Sequence, residues 1–339
     1  MKRTILYAYI AFLFAVGLPF LANWGQRGAL AAPDGGGAAN PTPSGAVEEA
    51  PPPSVLPAPA GPSAPETIDV LMKDGSVETM DMQTYLVGVV AAEMPADFHA
   101  EALKAQAVAA RTYAMYCAGS AKHGPAQICT DAGCCQAWQS DGELRDKWGE
   151  LYHEKLENIR AAVEGTRREY LAVGGRPVFA AFHSSSAGAT ENSADVWSAV
   201  PYLISVESPE TAEDVPNYVS TVRCSPIDLR DAVLSAHPEA DFSGAEENWV
   251  GALRRDGSGR VSSVTLGGVE LDGKEVRALF SLRSTAFELA YDAGGFTFTV
   301  TGFGHGVGMS QYGADKMARL GADYTEILAH YYPGTELVK

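Results

Sequence analysis

The chain has 339 residues and a formal net charge of −17 at pH 7, from 42 acidic and 25 basic side chains. Nucleic-acid binding needs a concentrated basic face, so this balance argues against nucleic acid as a partner. It also argues against binding to anionic polymers or lipid head groups by general electrostatic attraction.

An uncharged apolar run near the amino terminus, residues 5–22, follows Lys2 and Arg3. At about 1.5 Å per residue a helix of this length spans roughly 27 Å, which is just enough for a thin bilayer. Positive charge before the run predicts a single-pass anchor in the cell membrane, residues 1–24, with the rest of the chain on the extracytoplasmic side. A signal peptide that is cleaved after Ala31 is the alternative.

Residues 25–65 are dominated by Pro, Gly, Ala and Ser and show no hydrophobic period. Such a segment buries too little apolar surface to offset the entropy of ordering it, which predicts a disordered linker. A flexible linker lets a membrane-bound domain work at some distance from the bilayer. The folded domain is expected over residues 66–339.

The folded part alternates hairpin signals with helical patterns. Turns at Asp74-Gly75, Gly174-Gly175 and Gly294-Gly295 each separate two strand-like segments. Since no βαβ rhythm is visible, the pattern predicts an α+β fold in which helices pack with hairpin-built antiparallel sheets. Helices are predicted at about residues 82–94, 97–117, 143–166, 225–237 and 274–279, with two more before Pro333-Gly334.

Glu93 lies near the end of the first of these helices. It continues an apolar stripe that runs from Met82 to Val90, and Pro95 disfavours helical geometry at the residue before it. Partial removal from water raises the pKa of a glutamate and lets it hold a proton near neutral pH, as a general acid requires. The alternative is a helix-end glutamate that pairs with a basic residue of the next helix.

The next predicted helix is rich in alanine and carries Lys104 and Arg111 on one face. Small residues let neighbouring helices approach closely, which predicts a central buried helix. Charged groups on such a helix need partners, and either Glu93 or a polar substrate could supply them. A salt-bridge network that fixes the helix pair is the alternative.

Residues 119–140 form an insertion with the spacing H-x5-C-x4-C-C. Three sulfur ligands and one imidazole make a complete tetrahedral zinc set, which leaves no position for a catalytic water. A structural zinc site is therefore predicted, with disulfides as the alternative in an exported protein. The predicted metal ligands are His123, Cys129, Cys134 and Cys135.

Two further blocks carry polar residues at the ends of predicted strands. His183, Ser184 and Ser185 follow one strand, where they could hydrogen-bond sugar hydroxyls or cap a turn, and no G-x-S-x-G motif surrounds them. The second block repeats glycine at every other position from 302 to 308 but lacks the Lys-Ser/Thr of a P-loop. It predicts a tight backbone passage that exposes His305 and lets a polymer approach closely.

Three ordered blocks, residues 89–113, 184–203 and 302–335, resemble the signature segments of the stage II sporulation protein D family (the SpoIID/LytB domain). The resemblance they carry extends over roughly residues 67–339. The resemblance implies a peptidoglycan lytic transglycosylase that leaves a 1,6-anhydro-muramic product. It also implies that Glu93 is the catalytic residue, first as acid and then as base.

The same resemblance implies a setting in endospore engulfment. The partners would be peptidoglycan glycan strands, a peptidoglycan amidase that strips stem peptides and a membrane partner of the engulfment machinery. Some family members carry zinc in the insertion, with histidine in place of Cys134. A glycan-binding amidase enhancer without cleavage activity is the main alternative, and a zinc hydrolase is a third. The predicted substrate-binding residues are Lys104, Arg111, His183, Ser184, Ser185, His305, Gln311 and Tyr312.

Overall fold

The computed structural model describes residues 63–120, 122–292 and 294–339. The predicted anchor, and the predicted linker up to residue 62, lie outside the described residues. None of the helices in the described part of the chain combines the length and the apolar character that a bilayer-spanning segment needs. Helices and small, mainly antiparallel sheets alternate, as the predicted mixture of α and β structure requires.

Most of the described helices begin at a residue whose side chain accepts a hydrogen bond from the first turn. In chain order the helices are α1 (Met82–Glu93), α2 (Ala100–Ala118), α3 (Asp141–Trp148), α4 (Tyr152–Gly165), α5 (Ser193–Val196), α6 (Pro226–Ala236), α7 (Gly273–Leu279), α8 (Gln311–Arg319) and α9 (Tyr324–Tyr331). At the start of α1, for example, Asp81 accepts from the Thr84 N–H. The cap satisfies a donor that the helix itself leaves without a partner.

The described strands form sheets of two or three members. They are β1 (Thr67–Leu71), β2 (Val77–Asp81), β3 (Ile128–Cys129), β4 (Tyr170–Val173), β5 (Arg176–Pro177), β6 (Phe182–His183), β7 (Val219–Cys224), β8 (Val250–Arg255), β9 (Val261–Leu266), β10 (Val269–Asp272), β11 (Phe287–Asp292), β12 (Gly295–Thr301), β13 (Met309–Ser310) and β14 (Glu336–Val338). The strand orders are β2-β1-β3, β10-β9-β8, β11-β12-β7, β13-β6 and β14-β4-β5.

The strand pairing confirms the three predicted hairpins. β1 pairs antiparallel with β2, β4 with β5, and β11 with β12, each across the predicted glycine-containing turn. Two strand pairs depart from the predicted antiparallel arrangement, because β1 pairs with β3, and β6 with β13, in parallel. Parallel partners come from distant parts of the chain, so no local turn signal indicates them.

The long helix predicted over residues 143–166 is instead two helices. α3 ends at Trp148, Gly149 adopts a positive φ of 53°, and α4 begins at Tyr152 after one 3-10 turn. The left-handed backbone at Gly149 interrupts the helical hydrogen bonds, although the amphipathic pattern continues across it. The other predicted helices agree with the observed helices to within a few residues.

The alanine-rich helix α2 lies at the centre of the larger hydrophobic cluster, as predicted. It packs against α1, α4, α8 and α9, and its alanine side chains at 102, 105, 107, 109, 110 and 114 are buried. Small side chains let the helix backbones approach closely. This packing holds the end of α1, where Glu93 lies, in a fixed relation to α8.

Residues 219–301, which we call the inserted subdomain, form a second hydrophobic cluster. It contains the strands β7 to β12 with α6 and α7, and its core includes Leu229, Trp249 and Phe298. The larger cluster resumes after it at Val307. The inserted subdomain therefore leads directly into the glycine-rich loop, residues 302–308.

Candidate active site

Glu93 is the last residue of α1. Met94 already has extended backbone angles (φ −120°, ψ 148°), so the helix ends at the carboxyl group as Pro95 predicted. Glu93 is half-buried, and its Oε1 accepts a hydrogen bond of 2.7 Å from the Ala137 N–H. The segment that follows the cysteine cluster therefore holds the carboxyl group in place.

Gln136 ties that segment to both central helices. Its Nε2 donates to the Tyr85 hydroxyl oxygen on α1 at 2.8 Å and to the Ala110 carbonyl on α2 at 3.4 Å. Burial raises the pKa of the Tyr85 hydroxyl well above its usual value, so this group keeps its proton. The Ala137 donor is consequently anchored to the helix that carries Glu93, a support that no sequence motif indicated.

Lys104 joins α2 to the start of α9. Its Nζ lies 2.7 Å from Glu101 Oε1 and 5.6 Å from the centroid of the Tyr324 ring. Glu101 Oε2 in turn accepts the Tyr324 N–H at 3.0 Å. These contacts agree with the helix-fixing role, and the substrate role of the half-buried Lys104 stays a prediction.

Arg111 is completely buried among the helices. Its guanidinium donates to the Glu169 carbonyl at 3.0 Å and to Gln83 Oε1 at 3.1 Å. Burial lowers the pKa of Arg111 to about 10, which leaves it charged at neutral pH. A side chain without exposed surface cannot touch a polymer, so the structure favours the helix-fixing role over the predicted substrate contact.

His183, on β6, is buried and held at both ring nitrogens. Nδ1 lies 3.3 Å from the Val307 carbonyl, and Nε2 lies 2.8 Å from Ser186 Oγ. A carbonyl only accepts, so Nδ1 carries the ring proton and Nε2 accepts from the Ser186 hydroxyl. Burial lowers the pKa of His183 well below its ordinary value, so the ring is neutral near pH 7. His183 is therefore a buried residue that supports the site through its contacts with Val307 and Ser186.

His305, in the glycine-rich loop, is half-buried beside aromatic rings. Its Nδ1 accepts the Val307 N–H at 3.1 Å, so Nε2 carries the proton that faces the Phe182 carbonyl at 3.0 Å. The ring centroid lies 5.6 Å from that of His183 and 5.0 Å from that of Trp197. Trp197 is half-buried as well, so His305 and Trp197 offer adjoining ring surface to a ligand.

Ser184 and Ser185 differ in their exposure. Ser184 is half-buried, and its carbonyl accepts the Tyr312 N–H at 3.0 Å. Ser185 is fully buried and exchanges backbone hydrogen bonds of 3.1 and 2.9 Å with Phe303. Ser184 is therefore partly exposed to solvent, and its contact with a substrate stays a prediction. Ser185 joins residues 184–203, which we call the serine block, to the glycine-rich loop.

Tyr312 brings the first and last sequence blocks together. Its ring packs edge to face against Phe98, in the loop after Glu93, with ring centroids 4.9 Å apart. Gln311 is buried beside it at the start of α8, and its Nε2 has no hydrogen-bond partner among the described residues. The loop after Glu93 and the start of α8 therefore border the same region of the molecule.

The glycine-rich loop passes close to the serine block, a contact that the sequence analysis did not predict. Gly304 has a φ of 110°, and a Cβ at this position would lie 2.8 Å from His183 Cβ. Both the backbone angle and the space therefore require glycine.

Glu210 supports the serine block, and sequence reasoning missed it. Its side chain is 2% exposed, and Oε1 accepts the Ser186 N–H at 2.6 Å while Oε2 accepts the Ser208 hydroxyl at 2.6 Å. A carboxylate that is buried and bonded in this way fixes the loop and is not available to a substrate.

Arg283 is a second residue that sequence reasoning missed, and the inserted subdomain contributes it. Its guanidinium carbon lies 4.4 Å from the centroid of the Phe303 ring, and its carbonyl accepts the Gly304 N–H at 2.9 Å. An arginine that stacks on an aromatic ring keeps its N–H edge available for oxygen atoms of a ligand. No motif surrounds Arg283, so only the fold shows its position.

The four predicted metal ligands come together in the insertion. Their ligand atoms all lie within 4.8 Å of one another. His123 Nε2 is 3.2 Å from Cys135 Sγ and 3.7 Å from Cys134 Sγ. Around a tetrahedral zinc with bonds of about 2.3 Å to sulfur, ligand atoms are about 3.8 Å apart. The donor set and its spacing therefore suit one tetrahedral metal ion.

The cysteines of the described residues are free thiols, so the disulfide alternative is not formed in this structure. Lys122 Nζ donates to the Cys134 carbonyl at 2.9 Å. Contacts of this kind orient the ligands of protein metal sites.

A separate cavity of about 460 Å³ lies beside α8 and α9. Met317, Leu320, Ala322 and His330 are among the residues that line it. None of the predicted catalytic or substrate-binding residues is among its lining residues.

Comparison with known proteins finds relatives over most of the chain. The SpoIID family model, described as stage II sporulation protein, matches residues 73–172. Stage II sporulation protein D of Bacillus amyloliquefaciens is 38% identical over 267 residues, which cover 77% of this chain and 75% of that protein. The protein of the same name from Bacillus subtilis (strain 168) is also 38% identical over 267 residues, 77% of this chain and 76% of that protein. The amidase enhancer of Bacillus subtilis (strain 168) is 28% identical over 303 residues, 74% of this chain and 40% of that protein.

Proposed function

The chain belongs to the stage II sporulation protein D family, and we propose that it is a lytic transglycosylase that cleaves peptidoglycan glycan strands. The observation that carries the proposal is the position of Glu93, a half-buried carboxyl group at a helix end that the Ala137 N–H orients. A general acid must present its proton toward the leaving oxygen. The hydrogen bond from the Ala137 N–H orients the Glu93 carboxyl group, as a general acid requires.

Glu93 serves twice in the proposed reaction. As an acid it gives its proton to the glycosidic oxygen, and the bond from that oxygen to C1 of the muramic residue breaks. As a carboxylate it then takes the proton of the C6 hydroxyl of the same sugar, whose oxygen bonds to C1 and closes the 1,6-anhydro ring. No water is consumed, so the second carboxylate of hydrolytic glycosidases is not required.

The proposed glycan-binding surface consists of half-buried side chains around the glycine-rich loop. Hydroxyl, imidazole and guanidinium groups can bond sugar hydroxyl and acetamido oxygens, and flat rings can pack on sugar faces. The side chains with these properties are Ser184, Trp197, Arg283, His305 and Tyr312. His183, Ser185 and Gln311 are buried, so they are not part of the proposed surface.

The similarity to an amidase enhancer favours a second candidate function, a glycan-binding protein that stimulates an amidase without cutting the glycan. Mass spectrometry of purified peptidoglycan glycan treated with the full-length protein separates the two. A transglycosylase leaves 1,6-anhydro-muramic ends. An enhancer leaves none, and it increases the release of stem peptides only when an amidase is present.

The Cys/His cluster is proposed to hold a structural zinc. His123, Cys129, Cys134 and Cys135 supply four protein ligands, so a zinc there would have no open position for water. A bound zinc supplies order to a loop with little apolar content. Cys134 and Cys135 directly precede the segment that contacts Glu93, so the order of this loop bears on the orientation of the carboxyl group.

The proposed setting is endospore engulfment at the cell membrane. Names of the relatives support a role in sporulation. A peptidoglycan amidase and a membrane partner of the engulfment machinery are the proposed protein partners. The apolar run at residues 5–22 is the proposed anchor, with the catalytic domain on the extracytoplasmic side.

If residues 5–22 are an uncleaved anchor, the full-length protein will fractionate with membranes, and external protease will release a fragment that starts within residues 25–65. Leu13→Arg places a charge at the centre of the run and is expected to reduce the membrane fraction, because charge is costly there. Leu30→Arg, beyond the run, is the control. A mature amino terminus at Ala32 in the cellular protein would contradict the anchor.

A further inference from the structure

A buried ion pair joins the inserted subdomain to the rest of the candidate site. Arg260 directly precedes β9 in the subdomain, and Glu191 lies in the serine block. Their side chains are 1% and 2% exposed, and Arg260 Nε lies 3.7 Å from Glu191 Oε2. The proposed reaction uses neither residue.

Glu191 is bonded both to the glycine-rich loop and to the inserted subdomain. Its N–H donates to the Gly306 carbonyl at 2.8 Å, and its Oε2 accepts the Ser258 hydroxyl at 2.6 Å. On the subdomain side, Asp256 Oδ1 accepts the Arg260 N–H at 2.9 Å. One residue therefore connects the loop to the turn that carries Arg260.

The Arg260 guanidinium lies against the backbone of Gly306. A Cβ on Gly306 would be 2.5 Å from Arg260 Cζ, and Gly306 has a φ of 87°. The next residue, Val307, donates its N–H to His305 Nδ1. Gly306 therefore lies directly between the Arg260 guanidinium and the residue whose N–H bonds to the His305 ring.

Stabilisation of the fold does not by itself explain the Glu191–Arg260 ion pair. None of the three guanidinium nitrogens of Arg260 has a hydrogen-bond partner within the described residues. Burial raises the pKa of Glu191 to about 7 and lowers the pKa of Arg260, so both charged forms are disfavoured. Apolar residues of similar volume often replace buried ion pairs without loss of stability. The two buried charges therefore call for a role other than stabilisation of the fold.

We propose that Glu191 and Arg260 are positioning residues that hold the glycine-rich loop, and with it His305, against the inserted subdomain. The position of the subdomain is thereby transmitted to the glycan-binding surface. The effect on glycan cleavage rests on the proposed function, whereas the effect on the His305 ring does not.

The test compares Glu191→Gln/Arg260→Met with Arg254→Met, both as full-length protein. Arg254 is an exposed arginine of the same subdomain, paired with Glu270. The double variant removes both charges together, so no uncompensated charge stays buried. We expect it to shift the imidazole NMR signals of His305 and to lower cleavage about ten- to hundredfold, because small misplacements of binding groups have effects of this size. Arg254→Met should match the parent in both measurements.

A second variant, Gly306→Ala, displaces the loop and leaves both charges in place. It should shift the same His305 signals, and it decides the question if the double variant does not fold. Parent-like His305 signals in the variants that fold would overturn the inference. If the parent protein forms no anhydro product, the proposed function fails, while the His305 signals still test the positioning role.

Discussion

Glu93→Gln is expected to retain the fold and to lower the formation of 1,6-anhydro-muramic products by about 10²-fold or more. The amide is nearly isosteric with the carboxyl group, and its oxygen can still accept the Ala137 N–H. It cannot transfer a proton, so the acid step and the base step are both lost. The measurement is the rate at which anhydro ends form in purified peptidoglycan glycan.

Glu78→Gln is the matched control, because it makes the same chemical change at an exposed position on β2. It should keep both the melting temperature and the rate of the parent. Equal product yield from Glu93→Gln and the parent would refute the catalytic assignment. A parent that forms no anhydro ends but stimulates an amidase would support the enhancer function instead.

The parts of the fold that local chemistry determines could be predicted from the sequence. Each of the three predicted glycine-containing turns lies within a hairpin, because such residues adopt the backbone angles that tight turns need. Asp81 and Pro95 bound the helix that ends at Glu93, since one caps its start and the other prevents its continuation. These signals act over a few residues, so no knowledge of the tertiary structure was needed.

The direction of charged side chains could not be predicted in the same way. The helical period places Lys104 and Arg111 on one face of α2 but does not say which element packs there. The structure directs Arg111 to Glu169 and Gln83, inside the helix bundle. A buried guanidinium bonds whichever oxygens the packing supplies, and that packing depends on the whole fold.

The inserted subdomain explains why several site residues had no sequence signal. Arg283 and Arg260 lie outside the three blocks that resemble the family, in a segment with its own hydrophobic core. They reach Phe303 and Gly306 only because the subdomain leads into the glycine-rich loop. Contacts between residues that are far apart in sequence leave no periodic pattern.

The connection between the cysteine cluster and Glu93 also emerges only from the structure. The sequence shows the ligand spacing, and it separately shows the helix-end carboxyl group. Ala137 joins the two, since it follows Cys135 by two residues and donates to Glu93. A change in the cluster is therefore expected to affect the candidate catalytic group as well as the stability of the loop.

Cys135→Ser is accordingly expected to lower zinc content, melting temperature and glycan cleavage together. The parent protein, purified at full length in detergent under reducing conditions, should contain about one zinc per chain. Loss of one thiolate ligand weakens binding, and binding free energy contributes to folding free energy in such sites. A fall in melting temperature of about 5 °C or more corresponds to a loss of several kcal/mol at this chain length. Elemental analysis, thermal unfolding and the anhydro-product assay measure the three effects.

Cys224→Ser separates the loss of a metal ligand from the loss of a buried thiol. Cys224 is also buried, but it lies in the core of the inserted subdomain and outside the ligand set. This control should keep its zinc, whatever it loses in stability, because the four ligands remain. Protein that contains no zinc, with every cysteine titrating as a free thiol, would reject the site. In that case hydrogen bonds such as those of Gln136 to α1 and α2 would have to hold the Ala137 segment without a metal.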